Sequence, residues 1–169
     1  MTMISKKMEK ALNEQINAEM YSAYLYLAMA AHFESENLAG MANWMRIQVQ
    51  EETAHAMKFF DFVNERRGRV VLKAIDQPAK AWKSPLAAFE ASFKHEQMIT
   101  KRINDLVNLA LQEKDHATNA FLQWFVNEQV EEETSVDKVI QMLKMADQAP
   151  SVLLMIDREL GRRTFNPPK

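Results

Sequence analysis

The residues of this chain best equipped for chemistry stand together at Gln50-Glu51-Glu52-Thr53-Ala54-His55, inside a long stretch of helical periodicity. Glu52 and His55 are three apart, which makes them neighbours on one helix face. Met45, Val49, Ala56, Phe59 and Val63 fall along that face at helical spacing, so the pair interrupts an apolar stripe. A carboxylate and an imidazole are costly to bury there unless something pairs them. A metal ion is one such partner, since oxygen and imidazole donors suit iron, manganese and zinc alike. A lone Glu-x-x-His is more often a solvated or hydrogen-bonded pair, so the remaining segments must decide.

Those segments repeat the pattern. Periodicity, a Ser84-Pro85 helix start, and Gly68 and Gly161 read as C-terminal caps predict long helices over about 5–33, 39–67, 85–113 and 117–146. A short fifth helix follows Pro150, over about 151–160, and the tail from Asn166 to Lys169 reads as loose. The first inner stripe is Leu12, Ile16, Glu19, Ala23, Tyr26 and Ala30, flanked by Met20 and Leu27. The third is Phe89, Phe93, Glu96, Thr100, Ile103, Val107 and Ala110. The fourth is Leu122, Phe125, Gln129, Glu132, Val136, Val139 and Leu143. Every long helix thus carries a polar group at mid-length on its apolar face. Glu19 and Glu52 are 33 residues apart (52 − 19), and so are Glu96 and Gln129 (129 − 96), as if one hairpin occurred twice.

Two short connections separated by a long one, from about Arg69 to Lys83, give two antiparallel helix pairs joined by a crossover. The expected fold is all-α: a four-helix bundle of the ferritin-like topology plus a short C-terminal helix, in one domain over residues 1–169. Glu19, Glu52, Glu96 and Glu132 would converge with His55 in its core. Left empty, they would repel one another and pay for desolvation. Two divalent cations would balance four carboxylates, with Glu52 placed to bridge. Glu128, Glu131 and Glu132, at helical i,i+3 and i,i+4 spacing, and Glu51 beside Glu52 form a second acidic group. It reads either as a solvated face or as a third, weaker cation site.

Other candidates carry less. His95 lies about 100° around its helix from Glu96 and reads as a surface or interface histidine. His32 and His116 fall at helix ends. The 12 methionines and Trp44, Trp82 and Trp124 read as packing. Tyr26 lies on the Glu19 stripe, where it would hydrogen-bond a ligand carboxylate, donate an electron, or simply be buried. A formal net charge of −2 gives no basic footprint for nucleic acid. The absence of cysteine removes disulfides, thiolate metal sites and thiol nucleophiles. The first residues show no apolar stretch of signal-peptide type and no run reaches membrane-spanning length, so the expected address is the cytoplasm.

At this point the chain resembles the non-haem ferritins of bacteria and archaea, over nearly its whole length. The carriers are Asn13-Glu14-Gln15-Ile16-Asn17-Ala18-Glu19, Gln50 to His55, Lys94-His95-Glu96-Gln97, Phe121-Leu122-Gln123-Trp124 and Asn127-Glu128-Gln129-Val130-Glu131-Glu132-Glu133. The resemblance implies a ferroxidase that oxidises Fe(II) with dioxygen or peroxide and stores it as a ferric mineral in a homo-oligomeric shell of 24 subunits. It implies that Glu19, Glu52 and His55 hold the first iron, with Glu52 bridging. Glu96 and Glu132 would hold the second with Gln129 close by, and Glu51, Glu128, Glu131 and Glu132 would form a third site. Haem-binding relatives carry a second Glu-x-x-His where this chain has Gln129-x-x-Glu132, and a methionine where it has Thr53, so no haem is expected. A cysteine-ligated iron domain of rubrerythrin type is also missing. The rival expectation is a stand-alone di-iron peroxidase or oxygenase, which would call for an apolar substrate pocket beside the metals.

Overall fold

Helix boundaries follow from local chemistry. The computed structural model describes residues 3–146 and 149–167. In it α1 spans Lys6–Ser35, α2 Ala39–Glu65, α3 Pro85–Gln112, α4 His116–Ala146 and α5 Pro150–Leu160. Ser5 caps α1 by accepting from the Met8 amide, and Ser84 caps α3 by accepting from Ala87, with Pro85 in the first turn. Asp115 caps α4, its Oδ1 accepting from the Thr118 amide at 3.1 Å. The start of α2 has no capping side chain of its own. Its Met41 amide instead donates to Asp157 Oδ1 of α5, at 2.8 Å.

The C-terminal ends differ from the sequence expectation. α1, α2 and α3 each close through a left-handed residue, Asn37 (φ 58°), Arg67 (φ 56°) and Lys114 (φ 56°). The next amide then reaches back to the last turn: Leu38 to Phe33 O (2.9 Å), Gly68 to Val63 O (2.8 Å) and Asp115 to Ala110 O (2.9 Å). Gly68 therefore stands one residue beyond the left-handed position. There a Cβ would lie 3.0 Å from Val63 Cγ1 and 3.1 Å from Ile4 Cγ2. Gly161 is not a left-handed cap either, with φ −65°. It faces Gly40 where α5 crosses α2, and a Cβ on Gly40 would sit 1.7 Å from the Asp157 carbonyl oxygen. Close approach of backbones, rather than positive φ, is what these glycines serve.

α1 packs along α2 and α3 along α4, α1 meets α3 less extensively, and α5 lies across α2 and α4. The crossover between α2 and α3, residues 66–84, runs along α1 and is pinned to it. Asn13 donates to Arg69 O (3.0 Å) and accepts from the Val71 amide (2.7 Å), Asn17 donates to Ala74 O (3.1 Å), and Lys73 pairs with Glu14. Leu27, a predicted flank of the α1 stripe, is exposed. Pro168 and Lys169 of the expected loose tail lie outside the described residues.

The core is divided. One apolar cluster gathers Leu12, Ile16, Phe59, Val63, Ile99, Ile103, Leu122 and Phe125, with Phe59 stacked on Phe125 at 4.1 Å. The other gathers Tyr26, Met29, Phe33, Met41, Trp44, Met45, Phe89, Val136 and Val139. Between them runs a buried polar layer: Gln15, Glu19, Ser22, Gln48, Glu52, His55, Ser92, His95, Glu96, Gln129 and Glu132. Polar side chains seldom fill a bundle's mid-section without a partner to satisfy them.

Candidate metal centre

Each long helix delivers its mid-length polar residue into that layer. Glu19, Glu52, His55, Glu96, Gln129 and Glu132 are all buried, none more than 4% exposed. Ligating atoms of Glu19, Glu52 and His55 lie within 4.8 Å of one another, as do those of Glu52, Glu96 and Glu132, and those of His55, Glu128 and Glu132. Glu52 belongs to two of these groups, His55 to two and Glu132 to two, so the three form one continuous cluster. His55 stands between acids, with Nδ1 3.5 Å from Glu52 Oε2 and Nε2 3.7 Å from Glu128 Oε1. Trp124 and Phe125 meet its ring edge-on, with centroids 5.5 and 6.0 Å away.

Hydrogen bonds hold some of these atoms and leave others bare. Gln15 donates to Glu19 Oε1 at 2.7 Å and is itself oriented by Arg102 Nε, at 3.0 Å. Gln48 donates to Glu132 Oε2 at 2.9 Å. Tyr26 donates to Glu96 Oε1, its hydroxyl lying 3.0 Å from Ser92 Oγ. Gln129 Nε2 lies 3.2 Å from Glu96 Oε2, Glu96 O and Thr100 Oγ1. Among the described residues, Glu19 Oε2, Glu52 Oε1 and Gln48 Oε1 are buried with no hydrogen-bond partner. Unpaired buried oxygens are expensive, and bare oxygens together with an imidazole suit a divalent cation. The residues therefore fit a metal.

The electrostatics agree with that fit. Burial, aided by the nearby Glu96, pushes Glu52 well above the usual carboxylate range. Burial also raises Glu19, against the opposing pull of His55. Glu96 and Glu132 are pushed up to about 7, by burial in both cases. Burial pulls His55 down, but Glu128 and Glu52 outweigh it and hold the imidazole well above its ordinary value. Tyr26 is pushed up by burial and by Glu96, so its phenol keeps its proton. Burial thus makes unbalanced carboxylate charge costly here, a cost that a bound cation would lower.

The outer acids are placed unevenly. Glu128 faces His55 and is partly exposed. Glu51 is half-buried, raised to about 7 by burial, and paired with Arg163 at 2.6 Å. Glu131 is exposed and belongs to none of the clustered groups. His95, expected at the surface or an interface, is buried: Ser22 Oγ lies 2.7 Å from its Nε2, and burial lowers it to about 4. One position of rotation was not enough to carry it out, because α1 packs on that flank as well. His32 packs on Trp82, centroids 5.4 Å apart, and His116 is exposed at the start of α4. Gln15 and Gln48 were missed as supports of the site. They precede Glu19 and Glu52 by four residues each and are themselves 33 apart (48 − 15), so the internal echo already contained them.

A buried carboxylate and histidine cluster astride two paired helical hairpins is the architecture of a ferritin-like metal centre. The family model described as a ferritin-like domain matches residues 9–146. The bacterial non-heme ferritin of Bacteroides fragilis is 44% identical over 161 residues, covering 95% of this chain and 100% of the relative. That of Staphylococcus aureus is 38% identical over 164 residues, covering 97% and 99%. Among solved structures, the open-pore ferritin of the hyperthermophilic archaeon Archaeoglobus fulgidus superposes with a TM-score of 0.95 at 56% identity, covering 95% of this chain and 99% of that one. The chain belongs to the ferritin family, in its non-haem bacterial and archaeal branch.

Proposed function

We propose that the chain, as one ferritin-like domain over 1–169, is a cytoplasmic iron-storage protein with ferroxidase activity. Iron is substrate and cargo. The observation that carries the reading is the set of bare, buried oxygens on Glu19 and Glu52 beside an imidazole, in a core layer with no other use for them. Glu19, Glu52 and His55 take one Fe(II), Glu96 and Glu132 the second, and Glu52, shared by both groups, bridges. Two Fe(II) give up one electron each, and dioxygen takes both with two protons to form hydrogen peroxide. With peroxide as oxidant the product is water. Tyr26 and Gln129 hold Glu96 in place during the exchange, and the protons displaced from Glu96, Glu132 and Glu52 are released as metal enters. Glu51, Glu128 and Glu132 form a third, weaker site, with Glu131 at its solvent edge. Oxidised iron collects as ferric mineral inside a homo-oligomeric shell of 24 subunits, as the kinship with non-heme ferritins supports.

The test is an aerobic Fe(II) titration of the metal-free protein carried far beyond two irons per chain. A fast phase saturating at two or three per chain, followed by continued uptake into a soluble ferric particle, is expected. Saturation followed by ferric precipitate outside the protein would leave a di-iron enzyme without a storage cage.

A further inference from the structure

The C-terminal segment reaches back to the edge of the metal cluster. Beyond α5 the chain leaves its helix at Gly161, and Asn43 of α2 grips it, donating to Arg163 O at 3.0 Å and Gly161 O at 3.4 Å. This fixes where the Arg163 side chain starts. Its guanidinium then lies 4.4 Å from the Trp44 ring centroid, donates through Nη1 to Trp44 O (3.4 Å), and through Nη2 to Glu51 Oε2 at 2.6 Å. Stacking, a backbone bond and a carboxylate bond define one position for a planar cation. Arg163 and Glu51 are 22% and 18% exposed, so water screens the pair only partly.

Glu51 is the residue before Glu52; it falls in none of the three clustered groups, but Glu132 and Glu128 of α4 are near enough to act on its charge. A positive charge is therefore already seated on one acid of the outer group. A divalent cation that takes Glu51 as ligand meets the guanidinium charge already held on Oε2, so each cation weakens the other's hold on that carboxylate. We propose that Arg163 is a resident counter-cation which tunes occupancy of the outer carboxylate site, so that cation binding at Glu51 and docking of the C-terminal segment on Trp44 oppose each other. The proposal rests on the metal reading above and adds its regulation by residues 161–167. Coupling of this kind is reciprocal: docking weakens the outer cation, and the outer cation loosens the segment. Release need not unfold α5, which keeps its own hold on α2 through Asp157 and the Gly40–Gly161 crossing.

The test uses the assembled, metal-free protein and Zn(II), which takes no part in electron transfer. Calorimetry resolves successive equivalents, and Trp44 emission, isolated by difference from Trp44→Phe, reports the guanidinium. In the wild type the first two equivalents leave the emission unchanged and the third alters it. In Arg163→Gln the third equivalent binds about two- to fivefold more tightly, the scale of a partly exposed ion pair, while the first two keep their affinity. Arg163→Lys keeps the charge and holds the third equivalent near wild type. Asn43→Ala frees the segment with its charge intact and tightens the third equivalent by a smaller factor. A third equivalent of wild-type affinity in Arg163→Gln, with the first two intact, overturns the proposal. So does Arg163→Lys behaving like Arg163→Gln, which would make the effect one of packing. Loss of the first two equivalents in the wild type itself would overturn the underlying metal reading, and that result is distinct from both.

Discussion

Loading the centre with a redox-inert cation should expel protons in a number set by pH. Glu96 and Glu132 each lie at about 7 without metal, because burial disfavours their charged forms. Counted as two sites at that value, they hold about 1.8 protons near pH 6, about one near pH 7 and about 0.2 near pH 8. Glu52 and His55, both held well above their ordinary values, also give up protons when a cation enters. Zn(II) binding should therefore release about one and a half protons fewer from this pair near pH 8 than near pH 6. Calorimetric titration in buffers of different ionisation heat counts the protons directly. Glu132→Gln should remove roughly half a proton from the count near pH 7, its share of the pair. Release that is independent of pH, or that rises with pH as bound water would make it, refutes the account. The same shifts fix a stability trend. Raised acids mean that the folded, metal-free chain binds more protons than the unfolded chain between about pH 4.5 and 7. Its stability then falls as pH climbs through that window.

Three further outcomes are expected. Glu52→Ala removes the shared carboxylate and should slow the fast phase of Fe(II) oxidation at least about tenfold, with helical circular dichroism unchanged; wild-type kinetics would sink the bridging role. Glu131→Ala should alter turnover beyond the first two irons per chain and spare the initial burst, and loss of the burst in stopped-flow traces would contradict it. Gly40→Ala forces a Cβ into the Asp157 carbonyl and breaks the Met41 cap. It should cost about 2–4 kcal/mol of α5 docking, seen as faster amide exchange in α5 with α3 unaffected; unchanged exchange in α5 would refute the crossing argument.

How much of this was legible beforehand depended on the reach of the signal. The four long helices and the level of Glu19, Glu52, Glu96 and Gln129 were readable because a 3.6-residue period and a 33-residue echo are both local in sequence. Gln15 and Gln48 obeyed the same echo but were passed over, since glutamine on a stripe costs less to bury than glutamate and draws less notice. His95 was misplaced because a stripe drawn from one neighbour understates the buried arc of α3, which packs on both α1 and α4. The turns after α1, α2 and α3 were unreadable as left-handed: only Asn37 is a residue type that favours that region, while Arg67 and Lys114 are held there by the closing bonds of the following amides. Arg163 meets Glu51 across 112 residues from a segment without periodicity, and no local pattern announces such a pair.

The division of the core gives a cation at mid-length a structural consequence. Glu19, Glu52 and His55 belong to the α1–α2 pair, whereas Glu96, Gln129 and Glu132 belong to α3–α4. Within each pair the helices pack along their length, but between pairs the contact is sparser, and the polar layer interrupts the apolar seam that remains. Without metal, burial keeps protons on Glu96 and Glu132, and the charge of Glu19 across the seam adds to the effect at Glu96. A cation held by Glu52 from one pair and by Glu96 and Glu132 from the other reverses the sign of that interaction. At a free concentration 100 times its dissociation constant it would add about 2.7 kcal/mol to the folded state. The gain falls on the seam, where the fold is least tied together, so under the proposed function cation loading and closure of the bundle would be one equilibrium seen from two sides.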